Sequence, residues 1–162
     1  MKILHYLTPA IILTALVLSA CESIEKVSDI PEIKFKSFTL YDKDTLTFQI
    51  KVGEMIFSFI DGNADFGVKQ NSEDTLNLFL IPFHKVNMVY EPLNVDTFGR
   101  KYTVMNDEAL VRIGQNKTVK GEINLQVYYF VIPSFDTIRY DFYIVDRAGN
   151  KSNVESTSDI SF

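Results

Sequence analysis

Cysteine, tryptophan and histidine are the residues that this chain has least of. Its 162 residues include one cysteine (Cys21), no tryptophan, and two histidines, His5 and His84. A single cysteine excludes an intramolecular disulfide and a multi-thiolate metal site. With only His84 beyond the N-terminal segment, a multi-histidine zinc centre is also excluded, and His84 is more simply a packing or surface residue than a catalytic base.

Sequence motifs for phosphate, dinucleotide and nucleophilic chemistry are missing too, because no P-loop, G-x-G-x-x-G or G-x-S-x-G pattern occurs. The chain is therefore predicted not to be an enzyme, although folding could still bring together two carboxylates for glycoside hydrolysis. Basic residues are outnumbered, with 16 Lys and Arg against 21 Asp and Glu. This balance predicts no nucleic-acid partner, since binding of phosphate backbones needs a basic face.

The first 21 residues have the pattern of an export signal. Lys2 precedes the 16 residues Ile3–Leu18, which are mostly apolar. They are fewer than the roughly 20 that a membrane-spanning helix needs. Small residues, Ser19 and Ala20, then lead into Cys21, as a signal peptidase requires. We predict cleavage before Cys21, so that residues 1–20 are a signal peptide.

The sequence from Leu18 to Cys21 resembles the lipobox of bacterial lipoproteins. This resemblance implies that Cys21 is acylated and that its acyl chains hold the mature chain to the outer membrane. Removal of residues 1–20 leaves 142 residues and takes away Lys2, so that 15 basic residues oppose 21 acidic ones, a net charge of −6. That length suits one domain with a hydrophobic core.

Residues 21–32 are predicted to be a flexible tether, because they are mostly polar and end in Pro31-Glu32. Residues 33–162 are predicted to be the domain, since apolar residues recur there with the period of two that is typical of β-strands. The runs that predict strands are Leu46–Val52, Met55–Phe59, Leu76–Ile81, Val86–Tyr90, Ala109–Ile113, Val119–Tyr129, Ile138–Ile144 and Ser152–Ile160.

Turn signals separate these runs. Gly53-Glu54 is predicted to be a tight turn between two strands. The segment Asp146–Asn150 is predicted to be the turn into the last strand, because Asp, Gly and Asn tolerate turn conformations. About seven to nine short strands without a convincing helix predict an all-β fold, a sandwich or a barrel.

A tyrosine-corner spacing favours an immunoglobulin-like or fibronectin-III-like β-sandwich. In that motif a tyrosine stands two residues before a core position, and its hydroxyl caps nearby backbone. Here the segment begins at Asp136, Tyr140 is the tyrosine, and Phe142 takes the position that is cysteine in antibodies. The core is then expected to be packed by an aromatic ring instead of a disulfide.

No cofactor is predicted for this chain, but one acidic segment is a candidate site for a calcium ion. Asp61, Asn63 and Asp65 have the spacing of positions 1, 3 and 5 of a calcium loop. An EF-hand is excluded, because the sixth position is Phe66 rather than glycine and no helices flank the loop. The alternative is a solvated turn that uses these residues for their backbone tolerance.

These features together resemble a group of small Ig-like lipoproteins of Bacteroidota-type bacteria. Beside the lipobox, the resemblance is carried by Phe59–Gly67 and Asp136–Asn153. The O-glycosylation system of such bacteria implies modification at Asp-Thr-aliphatic sequences, which here makes Thr45, Thr75 and Thr137 candidate acceptors. Each also lies just before a predicted strand, where an aspartate and a β-branched residue are expected for structural reasons.

Three classes of function stay open. The sequence favours a membrane-anchored, non-catalytic binding or accessory component of the cell envelope, with an envelope protein as partner. The second class is a glycan-binding module of a polysaccharide-uptake system, and the third is an enzyme. The run Tyr128-Tyr129-Phe130 puts aromatic rings on both faces of one strand, so one face is a candidate interaction surface. The alternative is a strand that is buried on both faces or covered by the tether.

Overall fold

The computed structural model describes residues 27–68, 76–105, 118–130 and 134–162, and they form an all-β sandwich of two antiparallel sheets. The first sheet, in the order β1-β2-β6, contains β1 (Glu32–Asp44), β2 (Gln49–Asp61) and β6 (Val119–Tyr129). The second contains β3 (Leu78–Val86), β4 (Val89–Pro92), β5 (Arg100–Tyr102), β7 (Thr137–Ile144), β8 (Glu155–Ser156) and β9 (Ile160–Ser161). Its order is β4-β3-β7-β8, with β5 on β3 and β9 on β7. One helical turn, α1 (Val95–Phe98), precedes β5.

Alternation within the strands places the core between the sheets. In β7 every second residue is buried while the residues between are partly exposed, as the period-two pattern predicted. The ring of Phe142 packs against Phe57 of the facing sheet, with ring centroids 5.1 Å apart, and against Phe35 at 6.3 Å. Phe142 therefore occupies the core position that the sequence predicted. The same alternation confirms the predicted strand Val119–Tyr129.

The predicted turn at Gly53-Glu54 is wrong. Strand β2 runs through both residues, and its hairpin with β1 turns instead at residues 45–48. Gly53 is buried without a positive φ, and a Cβ there would lie 2.3 Å from Cζ of Phe38. The glycine thus makes room for a ring. Ile50 and Val52 are buried on the outer face of β2, whereas Met55 and Phe57 are buried on its core face. The apolar residues therefore change from even to odd positions within one strand, which resembles two strands joined by a turn.

Two further strand limits differ from the prediction. Val86–Tyr90 spans a tight turn instead of a strand, since Asn87 and Met88 have φ values of 48° and 69° and join β3 to β4. The run Ser152–Ile160 is divided into β8 and β9, between which Thr157 bonds to Tyr140 through its backbone N–H and its hydroxyl oxygen. The predicted strand Ala109–Ile113 lies outside the described residues.

The end of the predicted tether is part of the folded structure. The carbonyl of Ser28 accepts a hydrogen bond from the N–H of Gly62 at 2.8 Å, and Pro31 is buried. The contacts of the domain therefore reach back several residues before Ile33, and the described chain enters the domain at the end of β1 opposite the β1–β2 hairpin.

Candidate functional site

Cys21, the predicted lipidation site, lies outside the described residues, and its acylation stays a prediction. The parts of the chain that the structure describes contain no helix long and apolar enough to cross a membrane.

The acidic segment after β2 folds back on its own backbone. Asp61 is fully buried; its Oδ2 accepts a hydrogen bond from the N–H of Phe66 at 2.7 Å, and its Oδ1 accepts one from Asn63 at 3.4 Å. The side-chain oxygen of Asn63 in turn accepts from the N–H of Asp65 at 3.3 Å. Two of the three predicted calcium ligands therefore stabilise the loop through bonds to its backbone, although Asp61 is buried and not solvated as the alternative interpretation had it.

The turn after β7 contacts this loop, and no local sequence pattern predicts that contact. The guanidinium of Arg147 donates to the carbonyls of Asp65, at 2.9 Å, and Ala64, at 3.1 Å. Asp146 accepts hydrogen bonds from the backbone and side-chain nitrogens of Asn150, at 2.7 and 2.8 Å. These bonds confirm the predicted turn at Asp146–Asn150. The backbone N–H of Arg147 also donates to the carbonyl of Asp65 at 3.2 Å, which brings the neighbouring Asp146 close to Asp65.

We call Asp61, Asp65 and Asp146 the acidic cluster. Within it, the carboxylate of Asp65 has the fewest hydrogen bonds. Its Oδ1 is buried without a hydrogen-bond partner among the described residues. Burial raises the pKa of Asp65 most, and the negative charges of Asp146 and Asp61 raise it further, while the charge of Arg147 opposes them. The ionised carboxylate is therefore held in an unfavourable environment.

The carboxylate of Asp65 is a suitable ligand for calcium, but the neighbouring carbonyl oxygens already accept hydrogen bonds. The carbonyls of Ala64 and Asp65 accept from Arg147, so the fold supplies its own cation at the loop. No three His, Cys, Asp or Glu side chains within the described ranges are arranged to hold a metal ion. Calcium binding stays a prediction.

Tyr140 of the predicted tyrosine corner is buried, but among the residues that the structure describes its hydroxyl has no backbone hydrogen-bond partner. It accepts a hydrogen bond from the hydroxyl of Tyr129 at 3.3 Å, so the two sheets are joined through a pair of hydroxyls. Burial raises the pKa of both tyrosines, as the largest cause in each case. Asp136, by contrast, is exposed. The immunoglobulin-like assignment, which relied on the corner, stays a prediction.

His84 and the candidate O-glycosylation threonines are the remaining residues that the sequence singled out. The ring of His84 packs on Phe135, with centroids 4.6 Å apart, in agreement with a packing role. Thr45 is exposed in the β1–β2 hairpin, where its hydroxyl accepts from the N–H of Phe48 at 3.1 Å. Thr137 is partly exposed at the start of β7. Thr75 lies outside the described residues, and O-glycosylation stays a prediction for all three threonines.

An aromatic surface covers the outer face of the first sheet at its hairpin end. Tyr41, Val52 and Tyr128 are directly paired across β1, β2 and β6 and therefore share that face. Val52 is 0% exposed, whereas Tyr41 and Tyr128 are 38% and 39% exposed, and Phe130, just beyond β6, is 67% exposed. The rings of Tyr128 and Phe130 lie 6.3 Å apart at an interplanar angle of 23°. We call Tyr41, Tyr128 and Phe130 the distal aromatic surface.

Polar groups border the distal aromatic surface. The ammonium of Lys43 lies 5.6 Å from the ring centroid of Tyr128, and the hydroxyl of Tyr128 donates to Gln126 at 2.5 Å. The opposite end of the same face is charged, and it contains a shallow groove of ≈ 420 Å³. Lys34, Ser58, Ile60, Lys120 and Glu122 are among the residues that line the groove.

The protein is therefore an all-β sandwich with the distal aromatic surface at one end and the acidic cluster at the other. No protein-family model, curated protein or solved structure matches the chain.

Proposed function

We propose that the chain is a membrane-anchored, non-catalytic binding component of the cell envelope and that it holds its partner through the distal aromatic surface. The observation that carries this proposal is the exposure of Tyr41, Tyr128 and Phe130 at one end of the same sheet face. Burial of an aromatic side chain is worth about 1.5–3 kcal/mol, and aromatic residues dominate the energy of many interfaces. A partner that covers these rings would gain that free energy.

The position of the surface suits an anchored protein. Tyr41 lies nine residues along β1 from Glu32, or about 30 Å at roughly 3.3 Å per residue. If the chain begins at Cys21, the stretch to Val27 reaches about 22 Å at most. The tether is then too short to cover the surface, which supports its availability to a partner.

Crosslinking in native cells, followed by mass spectrometry of the captured partners, tests this proposal. We expect the variant Tyr128→Ser/Phe130→Ser to lose a partner that the unchanged protein captures. The matched control is Lys34→Ser/Asn124→Ser, which alters the same face of the first sheet away from the rings and is expected to keep the partner. Equal capture by both variants would contradict a role for the surface.

A glycan-binding module is the second candidate, and the composition of the neighbouring row favours it. Thr39, Glu54 and Gln126 are paired across the three strands next to the aromatic row. Hydroxyl, carboxylate and amide groups beside flat rings can bond to sugar hydroxyls while the rings stack on the sugar. Affinity electrophoresis in neutral polysaccharides would show retardation that Tyr128→Ser/Phe130→Ser abolishes. Unretarded migration of the unchanged protein in every polysaccharide would refute this candidate.

A further inference from the structure

The two sheets protect their edges to different degrees. An edge strand presents unpaired backbone groups, and proteins protect such edges by making them short, bulged or covered. In the second sheet, the strands at the edges, β4, β5, β8 and β9, have four residues or fewer. These edges are too short to pair extensively with another strand.

Strand β1 is long, but its edge is interrupted and capped. Its register with β2 shifts between Phe35 and Ser37, which marks a bulge. The side chain of Asn153 accepts from the N–H of Ile33 at 2.8 Å and donates to its carbonyl at 2.9 Å. Glu155 accepts from the N–H of Phe35 at 3.1 Å. The first half of this edge is therefore occupied by side chains.

Within residues 27–68, 76–105, 118–130 and 134–162, strand β6 at the other edge of the same sheet is neither short, bulged nor covered, and its protection is limited to the charged side chains of Lys120 and Glu122 on the outer face. Its 11 residues contain no proline, and their register with β2 continues without a shift from Val119 to Tyr129. A straight edge strand of this length is a template for pairing with another strand.

The sequence of β6 is complementary to itself when two copies run antiparallel about Asn124. A two-fold axis puts residues of the same face opposite each other. On the core side, Val119 then lies opposite Tyr129, Gly121 opposite Val127, and Ile123 opposite Leu125. On the outer face, Lys120 lies opposite Tyr128, Glu122 opposite Gln126, and Asn124 opposite its own copy. Apolar residues thus meet apolar residues, and no like charges are opposed.

We propose that two copies of the chain pair through β6 in this register and form one continuous six-stranded sheet. The register about Asn124 pairs all 11 residues of each strand, whereas a shift of the pairing by two residues leaves two of them unpaired. The pairing also brings Lys120 of the partner copy to the ring of Tyr128, a favourable cation–π arrangement.

Cysteine crosslinking of the full chain in its membrane tests the register directly. Residues opposite each other at the axis have Cα atoms about 4.5–5.5 Å apart, within the range that a disulfide spans. After mild oxidation, Asn124→Cys should therefore give a dimer on a non-reducing gel. The matched control is Gln126→Cys, on the same face of β6, whose two copies would be more than about 12 Å apart and should stay monomeric. The unchanged chain controls for Cys21.

A second arm keeps the test independent of one substitution. Chains with Glu122→Cys and chains with Gln126→Cys should crosslink when they are produced together, because these positions are opposite in the proposed register, and neither should crosslink alone. Dimers from Asn124→Cys and from the mixed pair would support the proposal. Absence of both, or equal crosslinking by Asn124→Cys and Gln126→Cys, would overturn it.

Discussion

At the scale of single residues, Asp65 gives the chain a pH dependence of defined sign. Its folded pKa is raised above the ordinary value by burial and by Asp146 and Asp61, so the ionised carboxylate destabilises the fold at neutral pH. This penalty is relieved as the pH falls through the folded pKa and is absent below the unfolded pKa of about 3.9. We expect Asp65→Asn to be more stable than the unchanged chain at pH 7, and the difference to shrink as the pH approaches 4.

Denaturant unfolding at several pH values measures this difference, and Asp29→Asn is the control because Asp29 is exposed and outside the acidic cluster. A stability difference for Asp65→Asn that is the same at pH 7 and pH 4 would contradict the assigned environment.

The same carboxylate allows a test for calcium. If the acidic loop binds the ion with the affinity of extracellular sites, about 0.1–1 mM, then 10 mM calcium should stabilise the fold by roughly 1.4–2.7 kcal/mol. Thermal melts in calcium and in chelator would show the shift, and Asp61→Asn/Asp65→Asn should abolish it. Coincident melting curves for the unchanged chain would contradict a calcium site in this loop that stabilises the fold.

The hydroxyl pair of Tyr129 and Tyr140 predicts a coupling between two mutations. Tyr140→Phe leaves the buried hydroxyl of Tyr129 without its acceptor, and we expect a cost of about 0.5–1.5 kcal/mol. Because Tyr129→Phe breaks the same bond, the double variant should lose less stability than the two single losses added together. Urea unfolding of the four proteins measures the coupling. Strict additivity would instead favour the backbone partner that a tyrosine corner requires.

At the scale of the elements, Gly53 shows why β2 continues where a turn was predicted. A Cβ at this position would lie 2.3 Å from the ring of Phe38, whereas at Gly121 the nearest ring atom is 3.2 Å away. We expect Gly53→Ala to destabilise by about 1–3 kcal/mol through overpacking, and more than Gly121→Ala does. Phe38→Leu should recover part of the loss in the Gly53→Ala background. An equal cost at the two glycines, measured by chemical denaturation, would contradict this explanation.

The elements that were predicted correctly are those with one buried face. Strands β6 and β7 alternate between core and exterior along their whole length, so the periodicity alone locates them. Strand β2 is different, because Ile50 and Val52 are buried on the face opposite to Met55 and Phe57. That change of face inside one strand has the same sequence pattern as two strands joined by a turn.

At the scale of the whole molecule, the predicted anchor determines how the sandwich is presented. We expect the protein extracted from membranes to lack residues 1–20 and to carry a diacylglyceryl-sized addition on Cys21. Intact-mass measurement checks both, and Cys21→Ser is the control, since it removes the acylated thiol and should abolish the addition. A soluble mature chain without the addition would contradict the anchor and the placement of the protein at the outer membrane.

The sequence by itself determined the all-β class, the position of Phe142 in the core and the turn at Asp146–Asn150. Each of these features depends on residues close together in the sequence, because the alternation of side chains and the conformational preferences of turn residues are local properties. The tertiary structure alone decided that Tyr140 hydrogen-bonds to Tyr129 and that Asp146 lies close enough to raise the pKa of Asp65. It also decided that the rings of Tyr41 and Tyr128 remain exposed on either side of Val52. Alternation sorts residues into two faces, but only strand pairing and register decide which distant residues share a face and which face meets solvent.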